Sequence, residues 1–467
     1  MIAAARLAAY DVLRAVSAGR SDLPAALARV RTRLTDERDR ALAGEIAAGT
    51  LRWQGAFDAV IAAFAKRPIA KLDAEVLDIL RMTAFQLLHL DRIPASAAVN
   101  DAVALAGKVG KKSASGLVNA VLRRISRERN NLPLPPRPFV VEKVAGTFAA
   151  KVPATFSRSE ALAYLSTTLS HPEWLAGKWL DRHGFDAAEA WALFDNGPAA
   201  LTLRANTLRV SRDGLAELLT AQGVVTEPTR FASHGLTVLS GNPLLTPLAE
   251  QGLFAVQDES SQLVAELTAA VSGERILDAC ASPGGKTTAM AASMGNRGLI
   301  VATDLRGRRV DLLRRTVQTA SATCVRVVQA DVTGVLPFAT SFDCVLLDAP
   351  CSGLGTLRRD PDIRWRRSVE DLGPLAATQA EMLGQAAQVV VSGGRLVYAT
   401  CSSEPDENED VVSRFLTEHR DFTLVPERIP VKLARFITGD GHFRTFPFRD
   451  QLEPFFAAML VKTKDLR

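Results

Sequence analysis

The stretch Ile276–Thr288, ILDACASPGGKTT, constrains the chain more than any other. Apolar Ile276 and Leu277 lead into Asp278. A Gly-Gly pair follows at Gly284 and Gly285, and Lys286 opens a segment of helical pattern. This is the order of a first β-strand, a tight turn and a helix N-terminus. In a doubly wound α/β sheet, ligands bind at such a junction, outside the carboxyl ends of the strands. The glycines let backbone approach a ligand closely and take positive φ. Gly285-Lys286-Thr287 also matches the end of a phosphate-binding loop. The first glycine of that loop would fall at Cys280, however, and Pro283 removes a backbone donor from the cradle. A different nucleoside ligand is therefore expected.

At 467 residues the chain is long enough for two to four domains. Hydrophobic content of 47% and charged content of 23% are globular values. A net charge of +5 permits a nucleic-acid partner without requiring one. The five cysteines, Cys280, Cys324, Cys344, Cys351 and Cys401, form no C-x-x-C pair, which argues against zinc and disulfide frameworks. Such sparse thiols fit a reducing compartment. No apolar run approaches the ~18 residues of a membrane span. The opening MIAAARLAAYDVLRAV carries Arg6, Asp11 and Arg14 within its apolar pattern, as an amphipathic helix does and a signal peptide does not. The expected protein is soluble and cytoplasmic.

Residues 1–130 read as all helix, with apolar residues recurring at three and four, as at Val76, Ile79 and Leu80. Toward the end of this region Lys108, Lys111, Lys112, Arg123, Arg124, Arg127 and Arg129 face one acid, Glu128, and a phosphate-contacting face is expected there. GTLRWQGAFDAVI (49–61), ILRMTAFQLL (79–88) and SGLVNAVLRRI (115–125) resemble the helical RNA-binding domain of the NusB family. Four prolines within 131–140 predict a stiff linker, continued by a connecting helix to residue 165. Residues 166–265 read as a small α+β, RRM-like extension. Its strands are expected in LTLRANTLRV (201–210), Val224–Pro228 and Leu236–Val238, with a helix over Gly214–Gln222. Arg204, Asn206 and Arg209 are candidates for RNA backbone contact. From about 266 to 467, strands at Ile276–Cys280, Leu299–Thr303, Val325–Gln329, Cys344–Leu347 and Arg395–Ala399 alternate with helices such as Arg308–Thr319 and Ala376–Val391. That alternation predicts a Rossmann-like parallel sheet with helices on both faces.

Three strands end in an acid: Asp304, Asp331 and Asp348. A carboxylate after the second strand commonly holds ribose hydroxyls. Three acids beside a glycine turn, with no phosphate cradle, favour a cationic adenosine ligand, S-adenosyl-L-methionine. Cys351 in DAPCSG and Cys401 in YATCS follow strands expected to be neighbours, so two thiols and the Asp348 carboxylate can meet at one mouth. DACASPGGKT, DAPCSG and YATCS, with LRANTLR and VQDESSQL, resemble the NOL1/NOP2/Sun family of RNA cytosine-5 methyltransferases over residues 165–467.

The resemblance implies Cys401 as the nucleophile at C6, Asp348 at the N3/N4 edge of the base and Cys351 in resolving the adduct. It implies that Cys280, Ala281, Ser282, Pro283, Gly284, Gly285, Lys286, Asp304, Arg309, Asp331 and Asp348 line the cofactor site, Lys286 having RNA or the catalytic carboxylate as alternative partners. GTLRRDPDIRWRR (355–367) offers Arg358, Arg359, Arg364 and Trp365 for phosphate pairing and base stacking. The implied partner is small-subunit (16S) rRNA, free or in an early assembly intermediate, with no membrane and no metal, the enzyme acting as a monomer. The same chemistry on tRNA and a non-catalytic assembly factor stay open as alternatives. Two departures from the family pattern are Glu453-Pro454 before the last aromatic strand and Gly307 where a helix is expected to begin, which predicts a late helix start.

Overall fold

The structure is a computed structural model that describes residues 2–138, 143–144, 147–148, 156–338 and 341–463. The chain divides into two compact units, Met1–Pro198 with Leu357–Val369, and Ala199–Thr356 with Glu370–Arg467.

The first unit is helical. Seven helices, Ala4–Ser17, Leu23–Arg31, Glu37–Arg52, Gln54–Ala65, Ala74–His89, Ala95–Lys108 and Ser115–Arg127, bury their i, i+3, i+4 faces in one core that includes Ile46, Phe57, Ile79, Leu80 and Leu122. Asp22 and Asp36 cap two of them by accepting from Ala25 N (2.8 Å) and Arg38 N (2.7 Å). The expected stiff linker lies partly outside the described residues. Within them, Leu132 and Leu134 pack on the helical core, and Arg137 pairs with Glu189 at 2.5 Å. Two short antiparallel strands follow, β1 (Lys143–Val144) and β2 (Thr147–Phe148). The connecting helix is Arg158–Ala163, opened by a Ser157/Glu160 capping box. Helices Glu173–His183 and Phe185–Asn196 follow, with Trp179 and Trp191 stacked 4.7 Å apart, and the segment Leu357–Val369 adds the short helix Ile363–Arg366.

The second unit carries two sheets. The smaller is antiparallel, built from β3 (Thr202–Ala205), β4 (Val225–Pro228), β5 (Gly235–Ser240) and β6 (Phe254–Val256) in the order β4-β5-β3-β6. The helix Arg212–Ala221 covers it through Leu215 and Leu219. LTLRANTLRV forms a strand in its first half alone, because Asn206 turns the chain by accepting from Leu208 N.

The larger sheet contains β7 (Arg275–Ala279), β8 (Leu299–Asp304), β9 (Val325–Gln329), β10 (Phe342–Asp348), β11 (Val390–Thr400), β12 (Phe422–Leu424), β13 (Phe443–Thr445) and β14 (Phe455–Lys462). Its order is β12-β14-β11-β10-β7-β8-β9, with β13 paired to β14. The five strands expected from alternation are parallel to one another, and β14 runs antiparallel beside β11. Successive residues bury on opposite faces. Ile276, Cys344, Leu346 and Val397 enter one core, and Leu277, Val345, Leu347 and Leu396 the other. Cys344 is therefore a core residue, consistent with small buried thiols generally. The chain leaves β7 toward β8 and β9 on one side and places β10 and β11 on the other, so the switch point lies between β7 and β10. The helix expected to start late begins at Gly307 itself, directly after Arg306. Among the described residues no helix is long and apolar enough to cross a membrane.

Candidate functional site

A cavity of about 540 Å³ opens at the carboxyl ends of the central strands. Its walls bring together Cys280, Ser282, Asp304, Arg309, Asp331, Asp348, Cys351 and Cys401. Ala281, Pro283, Gly284, Gly285 and Lys286 lie outside those walls and shape them instead. Cys280 turns the chain off β7 with φ +62, a left-handed conformation that costs an L-residue about 1 kcal/mol. Ala281 N then donates to Thr303 O at 2.7 Å, holding the turn against β8. Gly284 has φ +105, and a Cβ there would stand 2.9 Å from Leu313. Only glycine meets both conditions without strain.

The acids differ in setting. Asp304 is buried at the end of β8. It accepts from Arg306 N at 3.2 Å, and Arg309 Nε lies 3.1 Å away. Arg309 also donates to Ser282 O at 2.7 Å, so it braces the wall. Asp331 is exposed and accepts from Thr333 N (2.9 Å) and Oγ1 (2.7 Å), bonds that lower its pKa. Asp278, fully buried behind the wall, has its pKa raised to about 7 by burial, while Thr287 donates to it at 2.6 Å. Asp348 pairs with Lys286 Nζ at 2.7 Å. Burial opposes the Lys286 charge, yet Asp348, Cys401 and Asp278 outweigh it and raise the pKa. Lys286 is thus a fixed ammonium beside the carboxylate.

Parallel pairing of β10 with β11 sets Asp348 opposite Ala399. Cys351 and Cys401 follow within three residues of that pair, and their sulfurs stand 3.3 Å apart as free thiols. The hydrogen bond to Cys401, burial, and the charges of Cys401 and Glu407 hold the Cys351 thiol well above its usual range. Burial, with Asp348 and Asp304, pushes Cys280 up to about 12, which disfavours its thiolate.

Gly355 is a member of this site that sequence reading passed over. Its N donates to Cys401 O at 2.8 Å, and a Cβ would lie 2.3 Å from Pro454 O and 2.7 Å from Cys401 O. Both obstacles are backbone, so Gly355→Ala must displace the Cys401 loop. The expected result is a loss of about 1–3 kcal/mol of stability by chemical denaturation and a fall in activity per folded molecule on the order of 10²-fold.

The structure places several of the sequence candidates for RNA contact in intramolecular hydrogen bonds and ion pairs. Arg204 is buried, donating to Gln257 Oε1, Gly285 O and Thr288 Oγ1, the last at 2.7 Å. It ties β3 to the turn and helix that follow β7, with 6% of its surface exposed. Asn206 is buried as well, donating to Gly252 O and Ala320 O. Arg364 is fully buried within the helical unit, donating to Arg52 O (3.0 Å), Ser170 O (2.9 Å) and Asn196 Oδ1 (3.0 Å). Withdrawing it toward a phosphate would orphan acceptors at about 1–3 kcal/mol each, more than an exposed ion pair of about 0–1 kcal/mol returns. Trp365 Nε1 donates to Leu51 O at 2.6 Å. Arg358 lies 4.3 Å over the Phe194 ring and donates to Pro198 O, and Arg359 is half-buried. In the basic segment, Lys111 pairs with Asp73 (3.0 Å) and Arg124 with Glu128 (3.0 Å), whereas Lys108, Lys112 and Arg123 are exposed.

Among the described residues no group of three or more His, Cys, Asp or Glu is arranged to hold a metal ion. The model of the family described as 16S rRNA methyltransferase RsmB/F matches residues 265–461, the NusB family model matches 3–127, and an RsmF/B-like ferredoxin-like domain model matches 171–245. The chain is 32% identical over 438 residues to a probable ribosomal RNA small subunit methyltransferase B of Bacillus subtilis, covering 93% of each chain. It is 34% identical over 418 residues to the ribosomal RNA small subunit methyltransferase B of Pseudomonas putida, covering 88% of each. Among solved structures, that of PH0851 aligns with TM-score 0.78 at 24% identity over 99% of both chains. That of NSun6 from Pyrococcus horikoshii with SFG aligns with TM-score 0.57 at 21% identity, over 63% of this chain and 99% of the other.

Proposed function

The chain belongs to the RsmB/F family of 16S rRNA methyltransferases, and from that premise we propose that it methylates C5 of a cytosine in small-subunit rRNA through a covalent bond between Cys401 and C6. The observation that carries this reading is the pair of free thiols 3.3 Å apart, on the wall of the cavity that also holds Asp348. The cavity suits S-adenosyl-L-methionine: its volume is within the usual range for a ligand site, and its buried Asp304 follows the second strand, where ribose hydroxyls are held. Cys280, Ser282, Asp304 and Asp331 would hold that cofactor, which when bound supplies an electrophilic methyl group.

The chain's own residues supply the rest. C5 of cytosine is a weak nucleophile, and addition of the Cys401 thiolate to C6 converts the ring to an enamine with electron density at C5. Asp348 faces the N3/N4 edge and relays to N3 the proton given up by the Cys401 thiol as the adduct forms. The Lys286 ammonium fixes that carboxyl and is itself held 5.4 Å from the Phe455 ring. Once C5 is methylated, solvent water takes the C5 proton, the C5–C6 double bond re-forms from that C–H pair, the C6–S bond breaks to expel Cys401 as thiolate, and the proton on N3 returns through Asp348. Cys351 retains its proton and donates a hydrogen bond to the departing sulfur. The base must leave its stack to enter the cavity, and Lys108, Lys112 and Arg123 supply phosphate contacts that steady the RNA.

Bisulfite mapping of small-subunit rRNA from cells with and without the protein tests this reading. The expected result is one cytosine that becomes convertible when the protein is missing. Unchanged maps, or a lost methyl that falls in tRNA, would overturn it. Tight cofactor binding with no 5-methylcytosine formed would favour an assembly factor instead.

A further inference from the structure

We propose that Glu407 is the positioning residue of the two-thiol site, one carboxylate that holds the Cys351 loop and the Cys401 loop in mutual register. Glu407 has no exposed surface. Its Oε1 accepts from Ser352 N (2.8 Å) and Gln379 Nε2 (3.0 Å). Its Oε2 accepts from Ser352 Oγ (2.5 Å) and Ser402 Oγ (2.5 Å). Ser352 and Ser402 are the residues directly after the two cysteines. One side chain thus grips both loops one residue beyond each sulfur.

The rest of the shell supports the same task. Gln379 also donates to Pro350 O at 3.0 Å, on the near side of Cys351. Tyr398 donates to Glu407 O at 2.5 Å, fixing the backbone that carries the carboxylate. The neighbouring Asn408 accepts from Thr400 Oγ1 at 2.5 Å and donates to Ser402 O at 3.0 Å, enclosing Cys401 from its other side. A carboxylate is suited to this position because it is acceptor-only with about four lone-pair sites, and four donors meet it here. A glutamine would turn an NH2 group toward two of those donors. The negative charge adds a second effect, since Glu407 is among the causes that keep the Cys351 proton in place.

This inference rests on the two-thiol reading for its catalytic meaning, but its geometric content is measured without methyl transfer. Thiols this close form a disulfide when diamide takes up their two electrons and two protons, and the rate of closure reports how well the loops are aligned. The full-length protein and the Glu407→Gln variant are compared by peptide mass spectrometry after timed diamide treatment, with melting and cofactor binding measured on the same samples. The expected result is slower Cys351–Cys401 closure in the variant, by about tenfold or more, and kcat lower by about 100-fold, with KM for S-adenosyl-L-methionine unchanged. Ser352→Ala and Ser402→Ala, each removing one donor, give smaller shifts of the same sign should Glu407→Gln fold poorly. Their effects are less than additive with Glu407→Gln because all act through one clamp. Closure and kcat at wild-type values in the folded variants would overturn the proposal. So would a lower melting temperature with kcat per folded molecule unchanged. If wild type forms the disulfide readily yet makes no 5-methylcytosine, the functional reading fails while the clamp stands.

Discussion

On the proposed mechanism Cys401→Ala is expected to abolish methylation, lowering kcat by on the order of 10⁴-fold or more, because no other described residue lining the cavity is placed to raise electron density at C5. Asp348 stays beside Lys286 at 2.7 Å, and a carboxylate oxygen is no substitute for a thiolate at C6. Cys351 is 3.3 Å from the lost sulfur, but its loop is anchored through Ser352, and its thiol is held well above the usual range by hydrogen bonding and burial. Substitution of partly exposed Cys401 removes one sulfur atom and no backbone hydrogen bond, so folding and cofactor binding are expected to match wild type. The measurement is transfer of labelled methyl to small-subunit rRNA under single-turnover conditions, with calorimetry for the cofactor. A variant that retains more than a small fraction of wild-type turnover would show that the adduct is formed elsewhere or not at all.

Cys351→Ala gives the opposite signature: turnover falls on the order of 10²-fold or more, while protein covalently joined to RNA accumulates. The attacking sulfur remains, so addition at C6 and transfer to C5 proceed. Departure of Cys401 then lacks its neighbouring S–H donor, and the enzyme stalls on its product. A denaturing gel with labelled rRNA should show a band that survives detergent and heat, absent from wild type and from the Cys351→Ala/Cys401→Ala double variant. Fast multiple turnover with no retained RNA in the single variant would remove Cys351 from the release step. The pair of variants separates attack from release, which total activity alone cannot do.

The sequence by itself determined the parts whose physics is local. Strands β7 to β11 were legible because runs such as Cys344–Leu347 are β-branched or leucine-rich and bury on both faces of the sheet, so every residue in the run is apolar. The Gly284 turn was legible because few other residues tolerate its backbone. Cys351 and Cys401 could be paired in advance because parallel neighbouring strands end at one edge, whatever the distance along the chain. The fate of polar side chains was a tertiary matter. Arg204, Arg364 and Trp365 have the composition of an RNA contact, yet each is consumed by backbone carbonyls or amides from segments far away in sequence, such as Gly285 for Arg204 and Ser170 for Arg364. Glu407 shows the converse. In SSEPDENED it has the composition of a solvated acidic loop, and folding places it, fully buried, on the two serines that follow Cys351 and Cys401. A charged residue's role depends on which donors and acceptors surround it after folding, and no local pattern records that.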